Sequence, residues 1–218
     1  MKSPNTPNRL SRAEINEGFQ LLFDGKSLTG FRGFRKDHIP APWQVRDGTI
    51  ALTEPGGGDL ITTATFTHFE LRLEFNISPD GNSGIMWHVS EDGDHTYESG
   101  PEFQILDSHA RTGYPHERQK GNVCGALYDL IAARTGDFLG PNLWNEAIIR
   151  VDHHHITLRL NGNLTADVDT SSDHWKNLIA ASKFATWPRF NAYPSGHIAL
   201  QDHNDLVAFR SIRIKPLP

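Results

Sequence analysis

The sequence predicts an all-β chain folded as a two-sheet antiparallel β-sandwich, and three observations carry that prediction. Most segments after Phe19 alternate apolar and polar residues at period two, Gly- and Asn-rich turns separate them, and helix-period stretches are scarce. A chain of 218 residues patterned this way is expected to form one domain over residues 19–218. Residues 1–18 hold Pro4, Pro7 and Ser11-Arg12-Ala13-Glu14, which reads as a tail with one short capped helix.

The elements follow in order. Trp43 and Val45, then Asp47-Gly48, then Ile50 and Leu52 predict a hairpin with a tight turn. In 70–77, Leu71, Leu73, Phe75 and Ile77 alternate with Glu70, Arg72, Glu74 and Asn76, so one face is core and the other wet. The strand 84–89 follows, with Ile85, Trp87 and Val89 on one face and Met86 and His88 on the other. Further strands are expected at 102–107, 125–130, 146–152, 155–160, 197–203 and 206–214, with a turn at Asn161-Gly162. The best helical stretch is 176–184, short and weakly amphipathic.

Composition excludes several classes of function. Lys and Arg number 21 against 26 Asp and Glu, a net charge of −5, and no basic cluster is present, so nucleic acid is not an expected partner. No apolar run reaches the roughly 20 residues that span a bilayer. The start has no apolar stretch of the signal-peptide kind, which predicts a cytoplasmic chain as written, and a periplasmic one if an export signal has been removed. The single Cys124 excludes an intramolecular disulfide and reads as a core residue.

The polar strand faces hold the candidate site. Glu102 and Gln104 in SGPEFQILD share one face, an unusual placement for a strand that buries the other. His88, Tyr128 or Asp129, and Gln201 with His203 lie on neighbouring predicted strands, with Trp87, Trp43 and Trp144 nearby. Amides and carboxylates suit sugar hydroxyls, and aromatic rings suit the apolar face of a sugar, so the expected partner is a carbohydrate. Metal-site readings are weak. His153-His154-His155 reads as a solvated turn, Asp107, His109 and His116 fit no strong zinc spacing, and Asp92 with Asp94 lacks the calcium-loop pattern. No cofactor is assigned, and a divalent metal is kept open as an electrophile held by some of the same groups.

The segments GFQLLFDGKSLTGF, WQVRDGTI, FELRLEFNISPDGNSGIMWHVSE, ESGPEFQILD, GALYDLI, LWNEAIIRVD, LRLNG and GHIALQDHNDLVAFRSIRIKPL occur in this order between Gly18 and Leu217. Together they resemble the 3-keto-disaccharide hydrolase family. The resemblance implies a concanavalin/laminin-G-like jelly roll acting on glycosides oxidised to a ketone at C3. Many relatives look exported, and many carry Arg near the position of His88, which places this chain in a variant group.

The implied chemistry is C2 proton abstraction, β-elimination of the aglycone and hydration, a net hydrolysis. It requires a base near C2, a donor for the enolate and an acid for the leaving oxygen. Glu102 is the expected base, with Gln104 holding a hydroxyl or the ketone and His88 or His203 donating. Trp87, Trp43, Tyr128, Asp129 and Gln201 are the expected substrate contacts. A two-carboxylate glycosidase ranks lower, because Asp107 falls on the opposite strand face from Glu102. The alternative is a non-catalytic carbohydrate-binding module of the same fold.

Overall fold

The computed structural model describes residues 6–110 and 112–218. Its strands are β1 (Gln20–Leu21), β2 (Phe31–Gly33), β3 (Trp43–Arg46), β4 (Thr49–Leu52), β5 (Leu60–Thr62), β6 (Phe69–Ile77), β7 (Asn82–Val89) and β8 (Glu102–Leu106). They continue as β9 (Asn145–Asp152), β10 (His155–Leu160), β11 (Asn163–Asp169), β12 (His197–Leu200) and β13 (Val207–Pro216). The helices α1 (Arg12–Asn16), α2 (Pro115–Gln119) and α3 (Asp173–Ala181) are short. One antiparallel sheet runs β11-β10-β9-β6-β13-β4-β3, with β1 also paired to β13, and the other runs β2-β5-β12-β7-β8.

The predicted sandwich is present, and its core forms as the alternation dictates. Along β6 every second residue is buried, Phe69 through Ile77, and β9 repeats the pattern. Leu71, Leu73, Phe75, Ile149 and Phe209 from the larger sheet meet Leu60, Ile85, Phe103, Ile198 and Leu200 from the smaller one. Each such side chain contributes roughly 1.5–3 kcal/mol on burial. Both predicted tight turns form, because Asp47-Gly48 and Asn161-Gly162 adopt the paired positive φ that a two-residue hairpin needs.

Ser11 caps α1 in a reciprocal capping box with Glu14, as its spacing predicts. The preceding residues dock on the sheet: Asn8 exchanges hydrogen bonds with Ser211, and Glu14 pairs with Arg213 at 2.5 Å.

Three expectations need correction, and one strand, β11, was not expected at all. The strand 125–130 does not form: Gly125 and Asp129 take positive φ, and Leu127 makes isolated bridges to Phe103 and Ile131. The segment still runs along β8, with Gln104 N–H donating to Ala126 O and Tyr128 N–H to Glu102 O. The strand expected at 197–203 ends at Leu200. The helix expected at 176–184 is α3, which starts at Asp173 behind its Ser172 cap and ends at Ala181, followed by a 3-10 turn at Lys183–Thr186. Strand β11 falls in a stretch where only Ala166 and Val168 are buried, too few apolar positions to show a period.

Candidate functional site

The smaller sheet turns its inner face to the core and gathers polar groups on its outer face. Phe103 and Ile105 of β8 enter the core, so parity sends Glu102 and Gln104 outward, as their spacing predicts. Gly84 of β7 and Gln201, just past β12, complete this floor. The strap at 125–128, helix α2 and the 3-10 turn at 183–186 then wall it in. Glu102 is only 8% exposed and Gln104 1%, despite facing outward.

The result is a cleft of about 310 Å³ lined by Asn82, Tyr97, Glu102, Gln104, Tyr114, Glu117, Tyr128, Lys183, Gln201 and His203. The Glu102 carboxylate accepts no hydrogen bond from the described residues, and burial pushes its pKa up to about 8, with Asp59 and Glu117 adding to the rise and Lys183 opposing it. Such a carboxyl group is poised between acid and base near neutrality.

The groups around Glu102 are held by their neighbours. Gln104 Nε2 donates to Asn82 Oδ1 at 2.7 Å, which leaves its carbonyl oxygen free to accept. Tyr114 hydroxyl donates to Asp205 at 2.8 Å and lies 3.2 Å from His203 Nδ1. With its proton committed to Asp205, the Tyr114 oxygen accepts from His203 Nδ1–H, which fixes the ring and turns Nε2 away from that bond. Burial, reinforced by Asp205, pushes the Tyr114 pKa up to about 12. Burial also raises the Tyr128 pKa, with Glu117 and Glu102 adding to the effect, so both phenols stay protonated. Lys183 Nζ sits 4.2 Å from the Tyr128 ring centroid. Gln201 is 8% exposed, and its Oε1 has no hydrogen-bond partner among the described residues.

Of the residues singled out in the sequence, Glu102, Gln104, Tyr128, Gln201 and His203 come together in this cleft. His88 does not. Between Met86 and Val89, three steps on β7 are matched by two on β12, a bulge whose extra residue is His88 at φ 53°. The bulge re-aims the ring toward the other sheet, where Nε2–H donates to Thr67 O at 2.8 Å and the ring meets Phe69 edge-on. It borders a separate cavity with His68, His153 and His154.

Trp87 and Trp43 are core residues rather than sugar platforms; Trp43 Nε1 donates to Gly58 O at 2.7 Å. Trp144 lies under Arg210 on the larger sheet. Asp129 stands outside the cleft wall, where its carboxylate accepts the Lys183 N–H at 2.9 Å and so positions that lysine.

The weaker metal readings resolve into structure. Asp107 accepts the N–H groups of Asp80 and His109, His109 packs on Phe138, and Asp92 accepts the Tyr193 hydroxyl. Among the described residues no group of three or more His, Cys, Asp or Glu side chains is arranged to hold a metal ion. Burial pushes the Cys124 thiol up to about 12, which makes it inert.

Lys183, Tyr97, Tyr114, Glu117 and Asn82 escaped the sequence reading. Lys183 and Tyr114 sit in irregular segments with no period to read, whereas Asn82 could have been found by extending β7 two residues toward its turn.

A β-sandwich that surrounds a buried carboxyl group of raised pKa with amides, phenols and a histidine fits a carbohydrate-active hydrolase, and the relatives of the chain show it to be one. The particular family follows from the whole chain: residues 18–215 match the 3-keto-alpha-glucoside-1,2-lyase-like domain, and the chain belongs to that family. It is 34% identical to a 3-keto-disaccharide hydrolase of Bacteroides thetaiotaomicron, over 92% of this chain and 79% of that one. Among solved structures, a candidate glycosyl hydrolase from Parabacteroides distasonis superimposes with a TM-score of 0.87 at 27% identity, covering 98% of this chain and all of the other. A second from the same organism gives 0.70 at 26%, covering 91% and 99%.

Proposed function

We propose that this enzyme cleaves glycosides whose sugar carries a ketone at C3, by elimination across C1–C2 followed by hydration. The observation that carries this reading is Glu102: a buried carboxylate that accepts no hydrogen bond from the described residues, with a pKa raised to about 8, facing a cleft of sugar-binding groups.

The ketone acidifies the hydrogen at C2, because the electron pair left behind delocalises onto the C3 oxygen. Ionised Glu102 takes that proton. The resulting enolate is stabilised by Lys183, whose positive charge already acts on Glu102, and by the protonated Tyr128 hydroxyl. Gln104 and Gln201 accept from sugar hydroxyls and set the ring over the base.

The electron pair of the enolate then forms the C1–C2 double bond and the C1–O bond breaks, the leaving oxygen taking the Nε2 proton of a doubly protonated His203 whose Nδ1–H stays on Tyr114. Water adds its oxygen to C1 and gives up a proton to the now neutral His203, while protonated Glu102 returns a solvent-exchanged proton to C2, so both groups are restored and the sum is hydrolysis. No oxocarbenium ion is formed, and no second carboxylate at a glycosidase separation is required.

The test compares a 3-keto-glucoside with the same glucoside lacking the ketone. Cleavage of the ketone alone, lost in Glu102→Gln with binding retained, is the expected result. Equal cleavage of both substrates would sink the elimination reading. Binding of both without turnover would assign the protein instead to the non-catalytic carbohydrate-binding modules.

A further inference from the structure

A second cavity, of about 340 Å³, lies between the two sheets beside the end of β7. Trp87 and His88 of β7 form one wall, and Val151 of β9 with Ile156 of β10 form the other. The His153-His154 turn and residues 191–194 make its rim. Among the described residues, none lines both this cavity and the cleft around Glu102.

The smaller-sheet wall carries two unused polar atoms, and the bonds already made fix their roles. Trp87 is 0% exposed, and its Nε1–H has no hydrogen-bond partner among the described residues. An indole N–H only donates, so a buried one calls for an acceptor. His88 is tied through Nε2 to the Thr67 carbonyl, which only accepts, so the ring proton sits on Nε2. Burial lowers the His88 pKa, with the charge of His68 adding to the effect, and the neutral ring keeps Nδ1 as an acceptor. His68 Nδ1 accepts the His153 N–H at 3.0 Å, which leaves its own proton on Nε2 as a second donor. The His68 and His153 rings stack at 4.3 Å beside it.

We propose that this cavity is a second binding site and that its ligand is a small uncharged ring bearing an amide, whose carbonyl accepts from Trp87 Nε1–H and whose N–H donates to His88 Nδ1. The site stands apart from the elimination reading and does not rest on it.

Charge and wall chemistry select that class. No Asp, Glu, Lys or Arg side chain lines the cavity among the described residues. The carboxylates beside its rim are engaged: Asp152 accepts from Arg150 and His153, and Asp92 accepts the Tyr193 hydroxyl. A charged ligand would therefore enter without a fixed counter-charge. Val151, Ile156, Ala192 and Pro194 make the remaining wall apolar. Such a wall takes the face and edge of a flat ring but leaves the hydroxyls around a sugar unpaired. An amide confines its acceptor and donor to one end of the molecule, where the cavity has its donor and acceptor.

The experiment titrates benzamide, acetophenone and benzoate into the protein and follows the tryptophan indole N–H signals by NMR, with Trp87→Phe assigning that of Trp87. Acetophenone keeps the carbonyl without an N–H, and benzoate replaces the amide by a charge. Benzamide is expected to shift the Trp87 signal saturably and to bind about tenfold more tightly than either analogue. Absence of a benzamide shift, equal affinity for acetophenone, or tighter binding of methyl glucoside would overturn the proposal.

Two further variants locate the ligand. Ala192 is exposed at the rim, so Ala192→Trp narrows the mouth without entering the core. It is expected to weaken benzamide at least about tenfold. Glu102→Gln, in the other cleft, is expected to leave the affinity within about twofold. Unchanged binding in Ala192→Trp, or loss in Glu102→Gln, would place benzamide outside this cavity and contradict the site.

Discussion

Gly84 lies directly beneath the Glu102 carboxyl group: a Cβ at position 84 would collide with Oε1 and stand 2.8 Å from the carboxyl carbon. The two residues are on adjacent strands, Gly84 opposite Gln104 and Met86 opposite Glu102. The missing side chain is therefore the space in which the proposed base sits. Gly84 has ordinary strand geometry, so the requirement is one of volume and not of φ.

Gly84→Ala is accordingly expected to displace Glu102 and lower kcat by about 100-fold or more while the sandwich still folds. Overpacking of this kind costs about 1–3 kcal/mol, visible as a lower Tm. A variant with full activity would show that Glu102 does not need its present position.

The pH dependence of kcat/KM follows from the same carboxylate. The base acts when ionised, so the rate is expected to rise with pH through an apparent pKa of about 8. Lys183 opposes the upward shift of Glu102, so Lys183→Met is expected to move that limb to higher pH as well as lower its plateau. A limb that stays put in the variant would separate Lys183 from Glu102.

Stability should carry the opposite mark of this burial. A carboxyl group whose pKa is raised on folding, here from 4.5 to about 8, stabilises the fold fully below 4.5 and loses that contribution as pH rises through about 8. Glu102→Gln has no proton to lose. Relative to wild type it is expected to gain on the order of a few kcal/mol between pH 5 and pH 9, measured by urea unfolding.

His88 and His203 are separated by the bulge at the end of β7. His88→Asn, which tolerates positive φ, is expected to keep kcat within about threefold of wild type. His203→Gln is expected to lose about 100-fold, most strongly with poor leaving groups. The reverse ranking would relocate the acid to the cavity beside His68.

Arg213 joins the N-terminal segment to the sheet, with Nε 2.5 Å from Glu14 and a terminal nitrogen 3.2 Å from Glu146. Arg213→Met leaves Glu14 buried without its cation and is expected to cost about 3 kcal/mol in chemical denaturation, with activity per folded molecule unchanged. A loss below about 0.5 kcal/mol would mean that the segment is not held by this pair.

What was legible in the sequence was legible because one period ran unbroken. In β6 the alternation of Leu71, Leu73, Phe75 and Ile77 fixes the buried face, and in β8 the same rule places Glu102 beside Gln104. One inserted residue is enough to defeat it: the bulge at His88 leaves the composition of β7 unchanged but sends the ring to the other side. Lys183 and Tyr114 enter the cleft from segments ordered by tertiary contacts, the Asp129 carboxylate in one case and Asp205 in the other. No local pattern encodes those contacts. Trp43 and Trp87 were plausible platforms by residue type, and only the packing of two sheets shows that their rings belong to the core.

The central claim, that Glu102 removes the proton at C2, is tested most directly by running a 3-keto-glucoside in deuterated water and locating deuterium by NMR. The account predicts deuterium at C2 of the released sugar in the wild type, and loss of both release and labelling in Glu102→Gln. Release of the aglycone with protium retained at C2 would contradict it.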